Sequence, residues 1–230
     1  MTVLNPVDFI LNIDEHLLEI IATYGAATYA ILFAIVFCET GLVVTPLLPG
    51  DSLLFAAGAF AAQGKLNVWV VYLLLFAAAV AGDNSNYWIG RTIGAKWMAK
   101  GGGRIFKAEY LDRTREFFHR HGGKAIIMAR FVPIVRTFAP FVAGLGHMRY
   151  PRFLAFSLGG GLAWIGGFVT LGYFFGAIPA VEENFTLAIL AIIALSIVPG
   201  VWHWAKDRMA AKRGLPVHPE GAPDEPLNFD

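Results

Sequence analysis

Three long stretches of the chain carry almost no charged residue, and they limit what it can fold into. Between Ile20 and Gly50 the only charged side chain is Glu39. Phe153–Val181 and Asn184–Ala205 contain none. Each stretch is long enough for the roughly 20 apolar residues with which a helix crosses a bilayer. Only 15% of the chain is charged and 57% is hydrophobic, whereas soluble proteins average about 25% charged residues. The sequence therefore predicts an all-α integral membrane protein.

The apolar segments and the prolines between them predict about four transmembrane helices and two shorter re-entrant segments. The predicted crossings are Tyr24–Thr45, Val68–Ile93, Phe153–Phe175 and Thr186–Ala205. Pro46 and Pro49 break the first crossing, and Pro133 and Pro140 interrupt a later apolar segment. The segments at these breaks, about 46–63 and 125–148, are too short or too interrupted to cross. We expect them to form re-entrant helical hairpins.

The distribution of basic residues predicts the topology. The loop over 91–124 is strongly basic, which places it in the cytoplasm, where it should contact anionic lipid headgroups. The two hairpins then enter from opposite sides, in the form of an inverted repeat, and both termini are cytoplasmic. Residues 1–24 are predicted to be an amphipathic segment on the membrane surface. Residues 25–205 form the predicted transport domain, and 206–230 a disordered tail.

Four ionisable side chains fall in segments that otherwise resemble bilayer: Glu39, Asp51, Arg130 and Arg136. Such a group costs about 2.5–3.5 kcal/mol at the centre of a spanning helix on insertion scales. The proline breaks allow both pairs to converge on one cavity. Arginine offers a planar fork of donors that matches phosphate. A carboxylate in a low-dielectric site can exchange protons near neutral pH. These residues therefore predict substrate binding by the arginines and proton coupling by the acids. The alternative is a set of ion pairs that only neutralise one another.

Other residues are assigned supporting or packing roles. Asp83 is expected to cap a helix or to pair with Arg91 near the interface. The remaining supporting candidates flank the four charges: Pro49, Gly50, Pro133 and Thr137. The six tryptophans are expected to be interface anchors or packing residues. The six histidines form no nucleophile or metal group in the predicted bilayer region, so we expect no metal, no cofactor and no enzymatic activity.

Several motifs carry a resemblance to a known family. They are Phe37-Cys38-Glu39, Pro46-Leu-Leu-Pro49-Gly50-Asp51, Gly82-Asp83 with Tyr87 and Gly90-Arg91, and Arg130-Phe131-Val-Pro133-Ile-Val-Arg136-Thr137 followed by Ala143-Gly144. In this order they cover about residues 25–175 and resemble the DedA family of bacterial membrane proteins, also called the SNARE-associated or VTT-domain family. The resemblance implies two opposed re-entrant hairpins, essential acids at Glu39 and Asp51, and essential arginines at Arg130 and Arg136. Family members often have glycine where this chain has Ile134, so its second hairpin is expected to be less flexible.

The resemblance also implies a function. Family members are implicated as lipid transporters, so we expect translocation of an anionic lipid phosphate, first of all undecaprenyl phosphate, across the bacterial cytoplasmic (inner) membrane. Linkage to the proton motive force is expected. The lipid would be the main partner, a homo-oligomer is left open, and no nucleic acid is expected. One alternative is a phosphatidylethanolamine flippase or scramblase of the same family. Another is a proton-coupled ion or drug antiporter, which the paired arginines disfavour because they repel cations. A purely structural or assembly role is a further alternative.

Overall fold

The regular structure of the chain is helical. The computed structural model describes residues 13–41, 50–94, 122–130, 133–176 and 178–182, together with 184, 187–188 and 190–191. No strand occurs within these ranges. The helices are α1 (Ile13–Tyr24), α2 (Ala27–Gly41), α3 (Gly50–Ala62), α4 (Val68–Ile89), α5 (Ala125–Ala129), α6 (Pro133–Leu145), α7 (Tyr150–Phe175) and α8 (Pro179–Glu182). A π-helical turn, Gly90–Gly94, extends α4, and a short 3-10 turn, Gly122–Lys124, leads into α5.

Within the described ranges, two helices are long and apolar enough to cross a bilayer. They are Val68–Gly94, with 27 residues, and Tyr150–Phe175, with 26. At 1.5 Å per residue each is about 40 Å long, which exceeds the roughly 30 Å hydrocarbon core. They correspond to the second and third predicted crossings. The second of them begins three residues earlier than predicted, because Pro151 lies in its first turn, where proline is compatible with a helix.

The other predicted crossings are only partly described. The described part of the first is α2, which has 15 residues. Its predicted start was wrong, because Tyr24 belongs to α1 and the turn at Gly25 (φ 52°) separates the two helices. That left-handed conformation favours glycine, which has no Cβ. The predicted fourth crossing, the tail 206–230 and nearly all of the basic loop lie outside the described residues.

Two of the shorter helices each pack along one of the long ones. α3 lies along α7, and α2 lies along α4. The α3–α7 approach is close because Gly172 has no side chain, and a Cβ there would collide with the backbone carbonyl of Phe55. One group of buried apolar residues fills the space among these four helices, and a second lies where α5 and α6 meet the end of α4 and the start of α7. The charged site lies between the two groups.

The outer faces of the long helices are apolar. Trp69 and Leu73 on α4 are 73% and 71% exposed, and Leu162 and Phe174 on α7 are 65% and 68% exposed. Large apolar side chains in such number on an outer surface are typical of contact with lipid or with another protein. Both helices therefore combine a buried inner face with an apolar outer face.

Candidate functional site

Arg136 joins three helices through two carboxylates. Its Nη1 donates to Asp51 Oδ1 and its Nη2 donates to Glu39 Oε1, both at 2.7 Å. Glu39 comes from α2, Asp51 from the first turn of α3, and Arg136 from α6. Their side chains are 1%, 13% and 9% exposed. The structure thus brings together three of the four charges that the sequence singled out, and we call this group the Arg136 triad.

Trp164 on α7 completes the surroundings of the triad. Its indole Nε1 donates to Asp51 Oδ1 at 2.8 Å. Its ring centroid is 4.8 Å from the Arg136 guanidinium carbon and 5.8 Å from that of Arg130. Both distances lie within the range of a cation–π interaction. Trp164 is fully buried, and it therefore contacts both arginines from one ring.

Arg130 pairs with a different acid. It follows α5, and its Nη2 donates to Asp83 Oδ2 on α4 and approaches Ser157 on α7 at 3.5 Å. The Ser157 hydroxyl donates to the same Asp83 oxygen at 2.6 Å. The side chains of Arg130 and Asp83 are only 3% and 6% exposed. Arg130, Asp83 and Ser157 form what we call the Arg130 group.

The predicted interfacial role of Asp83, in which it caps a helix or pairs with Arg91, is wrong. Eight residues on one helix separate the two side chains by about 12 Å along the axis, which is beyond the reach of a direct pair. Arg91 instead donates to the Tyr87 hydroxyl and to the Met148 carbonyl, the latter at 3.2 Å. Asp83 lies deeper, near the middle of the 27-residue helix Val68–Gly94, as Trp164 does in α7. The charged site is therefore half-way along both long helices.

Several buried polar atoms of the site make no hydrogen bond within the described part of the chain. They are Arg130 Nε and Nη1, Arg136 Nε, Glu39 Oε2 and Asn86 Oδ1. A buried donor or acceptor without a partner costs about 1–3 kcal/mol, and more when the group is charged. The two groups together contain three carboxylates and two guanidinium ions. With every group ionised, one negative charge remains in excess.

The other supporting candidates predicted from the sequence have different structural surroundings. Gly50 is required by packing, because a Cβ there would collide with the Glu39 carboxylate. That carboxylate therefore lies against the amino-terminal end of α3, where the helix dipole favours negative charge. Thr137 is buried, and its carbonyl accepts a bond of 2.8 Å from Asn86 on α4. Pro133 begins α6, a position compatible with proline, and Pro49 lies outside the described residues.

The site has the donors for an anion but no metal-ligand cluster in the part of the chain that the structure describes. No group of three or more His, Cys, Asp or Glu residues there could hold a metal ion. Sequence reasoning missed Trp164 and Ser157 as members of the site. The available signal was weak: both lie in the uncharged stretch Phe153–Val181, seven residues apart, and that spacing places them on the same face of a helix.

Acids and arginines paired at the middle of two long apolar helices define a membrane protein with a buried charged site. Residues 48–174 match the model of the VTT domain, and the chain belongs to this family, the DedA family. It is 55% identical to the protein DedA of Escherichia coli K12 over 209 residues, which cover 90% of this chain and 95% of that protein. No solved structure matches the chain.

More distant relatives agree with this assignment. The chain is 43% identical to an uncharacterized membrane protein of Mycobacterium leprae over 183 residues, covering 78% of this chain and 82% of the relative. It is 34% identical to the inner membrane protein YghB of Escherichia coli K12 over 193 residues, covering 83% and 85%. These names support a location in the bacterial inner membrane for this chain.

Proposed function

We propose that the chain translocates an anionic lipid phosphate across the cytoplasmic membrane, with undecaprenyl phosphate as the favoured substrate, and that it does so without covalent chemistry. The observation that carries the proposal is the state of Arg130. Its side chain is 3% exposed, yet its Nε and Nη1 donate no hydrogen bond within the described residues. Phosphoryl oxygens are strong acceptors for a guanidinium group and would satisfy these donors.

The charge of the site supports a link to the proton motive force. One excess negative charge is already present when all three acids are ionised. A phosphate monoester brings about 1.5 to 2 further negative charges at neutral pH. Like charges in a low-dielectric site repel strongly, so the lipid would enter together with protons on the carboxylates. Glu39 and Asp51 remain the proposed proton carriers, and Asp83 joins them as the partner of Arg130.

The short helices fit the proposed pair of opposed re-entrant hairpins. α3 and α6 have 13 residues each and α5 has five, fewer than the roughly 20 that a crossing requires. All three end or begin at the charged site. In this arrangement α3 enters from the outer side, and α5 with α6 from the cytoplasmic side. Labelling of single cysteines at Gln63 and Lys124 from opposite faces of oriented vesicles tests this; labelling of both from one face would refute it.

A second candidate is a phosphatidylethanolamine flippase or scramblase. Its headgroup carries an ammonium as well as a phosphate, and Glu39 Oε2 has no hydrogen-bond partner among the described residues. An ammonium could bind there while the phosphate bound Arg130. An antiporter for a soluble cation is less well supported, because a cation cannot accept hydrogen bonds from Arg130 Nε and Nη1.

The direct test is translocation by the purified full chain in proteoliposomes, with undecaprenyl phosphate and phosphatidylethanolamine in parallel and with or without a pH gradient. We expect transport of undecaprenyl phosphate, faster with the gradient, and a loss of at least tenfold in Arg130→Gln. Arg149→Gln is the control, because Arg149 is exposed. Transport at the native rate by Arg130→Gln would refute the proposal. Preferential transport of phosphatidylethanolamine would favour the second candidate.

A further inference from the structure

Three consecutive glycines on α7, Gly159–Gly161, lie beside Arg130. Gly159 is exposed, whereas Gly160 and Gly161 are buried. A Cβ at Gly160 would lie 3.0 Å from Arg130 Cδ, 3.1 Å from its Nε and 3.2 Å from the Cα of Ile127 on α5. The missing side chain therefore lets α5 pack against α7 and leaves glycine backbone, rather than a side chain, beside the buried Arg130 Nε. We call the contact between α5 and the three glycines the glycine seam.

The nitrogen atoms of the Arg130 guanidinium group differ in whether they donate a hydrogen bond to a described residue. Nη2 is held by Asp83, which also accepts a bond from Ser157. Nε, which faces Gly160, and Nη1 have no hydrogen-bond partner in the part of the chain described. By contrast, both terminal nitrogens of Arg136 are occupied by carboxylates at 2.7 Å. An incoming anion therefore meets free donors mainly at Arg130.

The outer side of the seam is apolar. Leu158 and Leu162 flank the glycines on α7 and are 38% and 65% exposed, and Met128 on α5 is 43% exposed. A hydrocarbon chain can remain against these side chains. One residue further in, at Gly160, the surroundings change to a buried guanidinium group. The seam thus presents apolar and cationic surfaces in the order in which a lipid phosphate entering from the membrane would meet them.

We propose that the glycine seam is the entry subsite for the substrate, through which the phosphoryl group of a single-chain lipid phosphate reaches Arg130 while its tail stays outside. Asp83 and Ser157 position the guanidinium group, and the Arg136 triad is not the first ligand of the phosphate. The inference rests on the proposed function and adds to it the route of entry and a division of roles between the two arginines.

The test is equilibrium binding of radiolabelled farnesyl phosphate to the full chain in detergent micelles. Gly160→Ala should weaken binding at least tenfold, because its methyl group would occupy the space beside Arg130 Nε that a phosphoryl oxygen needs. Gly167→Ala on the same helix is the matched control, since its Cβ would meet nothing within 4 Å, and it should bind within twofold of the native protein. Binding by Gly160→Ala that equals native binding would refute the role of the glycine seam as the entry subsite. Equally tight binding of inorganic phosphate would overturn its assignment to a lipid.

A second pair of variants avoids any folding defect caused by the buried methyl group. Gly159→Cys and Gly167→Cys are made in a Cys38→Ser background and alkylated with N-ethylmaleimide after purification. A Cβ at Gly159 has only one near neighbour, the Ile127 side chain at 3.7 Å, so this variant should fold. Alkylation should abolish farnesyl phosphate binding at position 159 and leave it unchanged at 167. Equal binding of farnesyl phosphate by the two alkylated proteins would refute the role of the glycine seam as the entry subsite.

Failure of the seam and failure of the proposed function give different results. Arg130→Gln is measured in the same binding assay. If it binds farnesyl phosphate as the native protein does, the proposed function fails. If it loses binding while both seam variants bind normally, the function stands and entry occurs elsewhere.

Discussion

Replacing Arg136 by glutamine is the sharpest test of how the site is held together. The substitution removes two hydrogen bonds of 2.7 Å to carboxylates and leaves Glu39 and Asp51 without an ion-pair partner among the described residues. Hydrogen bonds to charged groups contribute about 1.5–3 kcal/mol each. Removing one partner of a buried ion pair costs about 3–5 kcal/mol, because the remaining charge is uncompensated. We therefore expect Arg136→Gln to lower the unfolding free energy by about 3–5 kcal/mol.

Two further variants separate charge from hydrogen bonding. Asp51→Asn keeps an oxygen that can accept from Arg136 and Trp164, so we expect it to cost only about 1–2 kcal/mol. Adding Glu39→Gln to Arg136→Gln removes one of the stranded charges. The double variant should therefore be more stable than the sum of the single effects predicts, by about 0.5–3 kcal/mol, the usual coupling between residues in contact.

The assay is reversible unfolding of the purified proteins by sodium dodecyl sulfate in bicelles, followed by circular dichroism. We expect Arg136→Gln to be less stable than Asp51→Asn. We also expect the double variant to lose less unfolding free energy than the two single variants lose together. Equal stability of Arg136→Gln and Asp51→Asn would refute the first expectation. Strict additivity in the double variant would refute the assignment of the loss to stranded charge.

Three other predictions follow from close contacts. Gly50→Ala places a methyl group against the Glu39 carboxylate, so it should lower both the unfolding free energy and lipid translocation; native transport would contradict this. Tyr87→Phe removes a buried hydroxyl that links α4 to the backbone after α6, and it should cost about 1–3 kcal/mol in the same unfolding assay, whereas an unchanged midpoint would count against the link. Gly172→Ala pushes a methyl group into the backbone of α3 and should cost about 1–3 kcal/mol, with Gly167→Ala as a neutral control; equal effects of the two would show that helix propensity, not packing, dominates.

The charged residues of the site are easier to predict from the sequence than the ion pairs that they form. Charge is so unfavourable in a bilayer that Glu39, Asp51, Arg130 and Arg136 stand out from their apolar neighbours. Which acid meets which arginine depends on the rotation and depth of separate helices, and sequence spacing carries little of that information. Asp83 illustrates the point, because its pairing with Arg130 joins positions 47 residues apart.

The same limit explains why the sequence predicts only an interface-anchor or packing role for Trp164. A tryptophan in an uncharged helix has the same local sequence whether it faces lipid, an interface or a charged site. Its role follows only from α7 lying against α3 and beside the ends of α5 and α6. The two long helices, in contrast, were predictable to within three residues at each end, because an apolar run of that length with at most two charged residues has few other stable environments.

The two arginines, which look equivalent in one short motif, are placed in unequal environments, and that inequality bears on how a lipid could move. Both terminal nitrogens of Arg136 are held by carboxylates, which tie α2, α3 and α6 together. Among the described residues Arg130 pairs with one carboxylate, and its Nε, beside Gly160, and its Nη1 donate no hydrogen bond. A phosphate could therefore bind Arg130 first without breaking the Arg136 triad. To pass further it would have to compete with Glu39 and Asp51 for Arg136, and protonation of those acids would weaken their hold. In the proposed mechanism, the protons that balance the lipid's charge would therefore also weaken the contact that joins α2, α3 and α6.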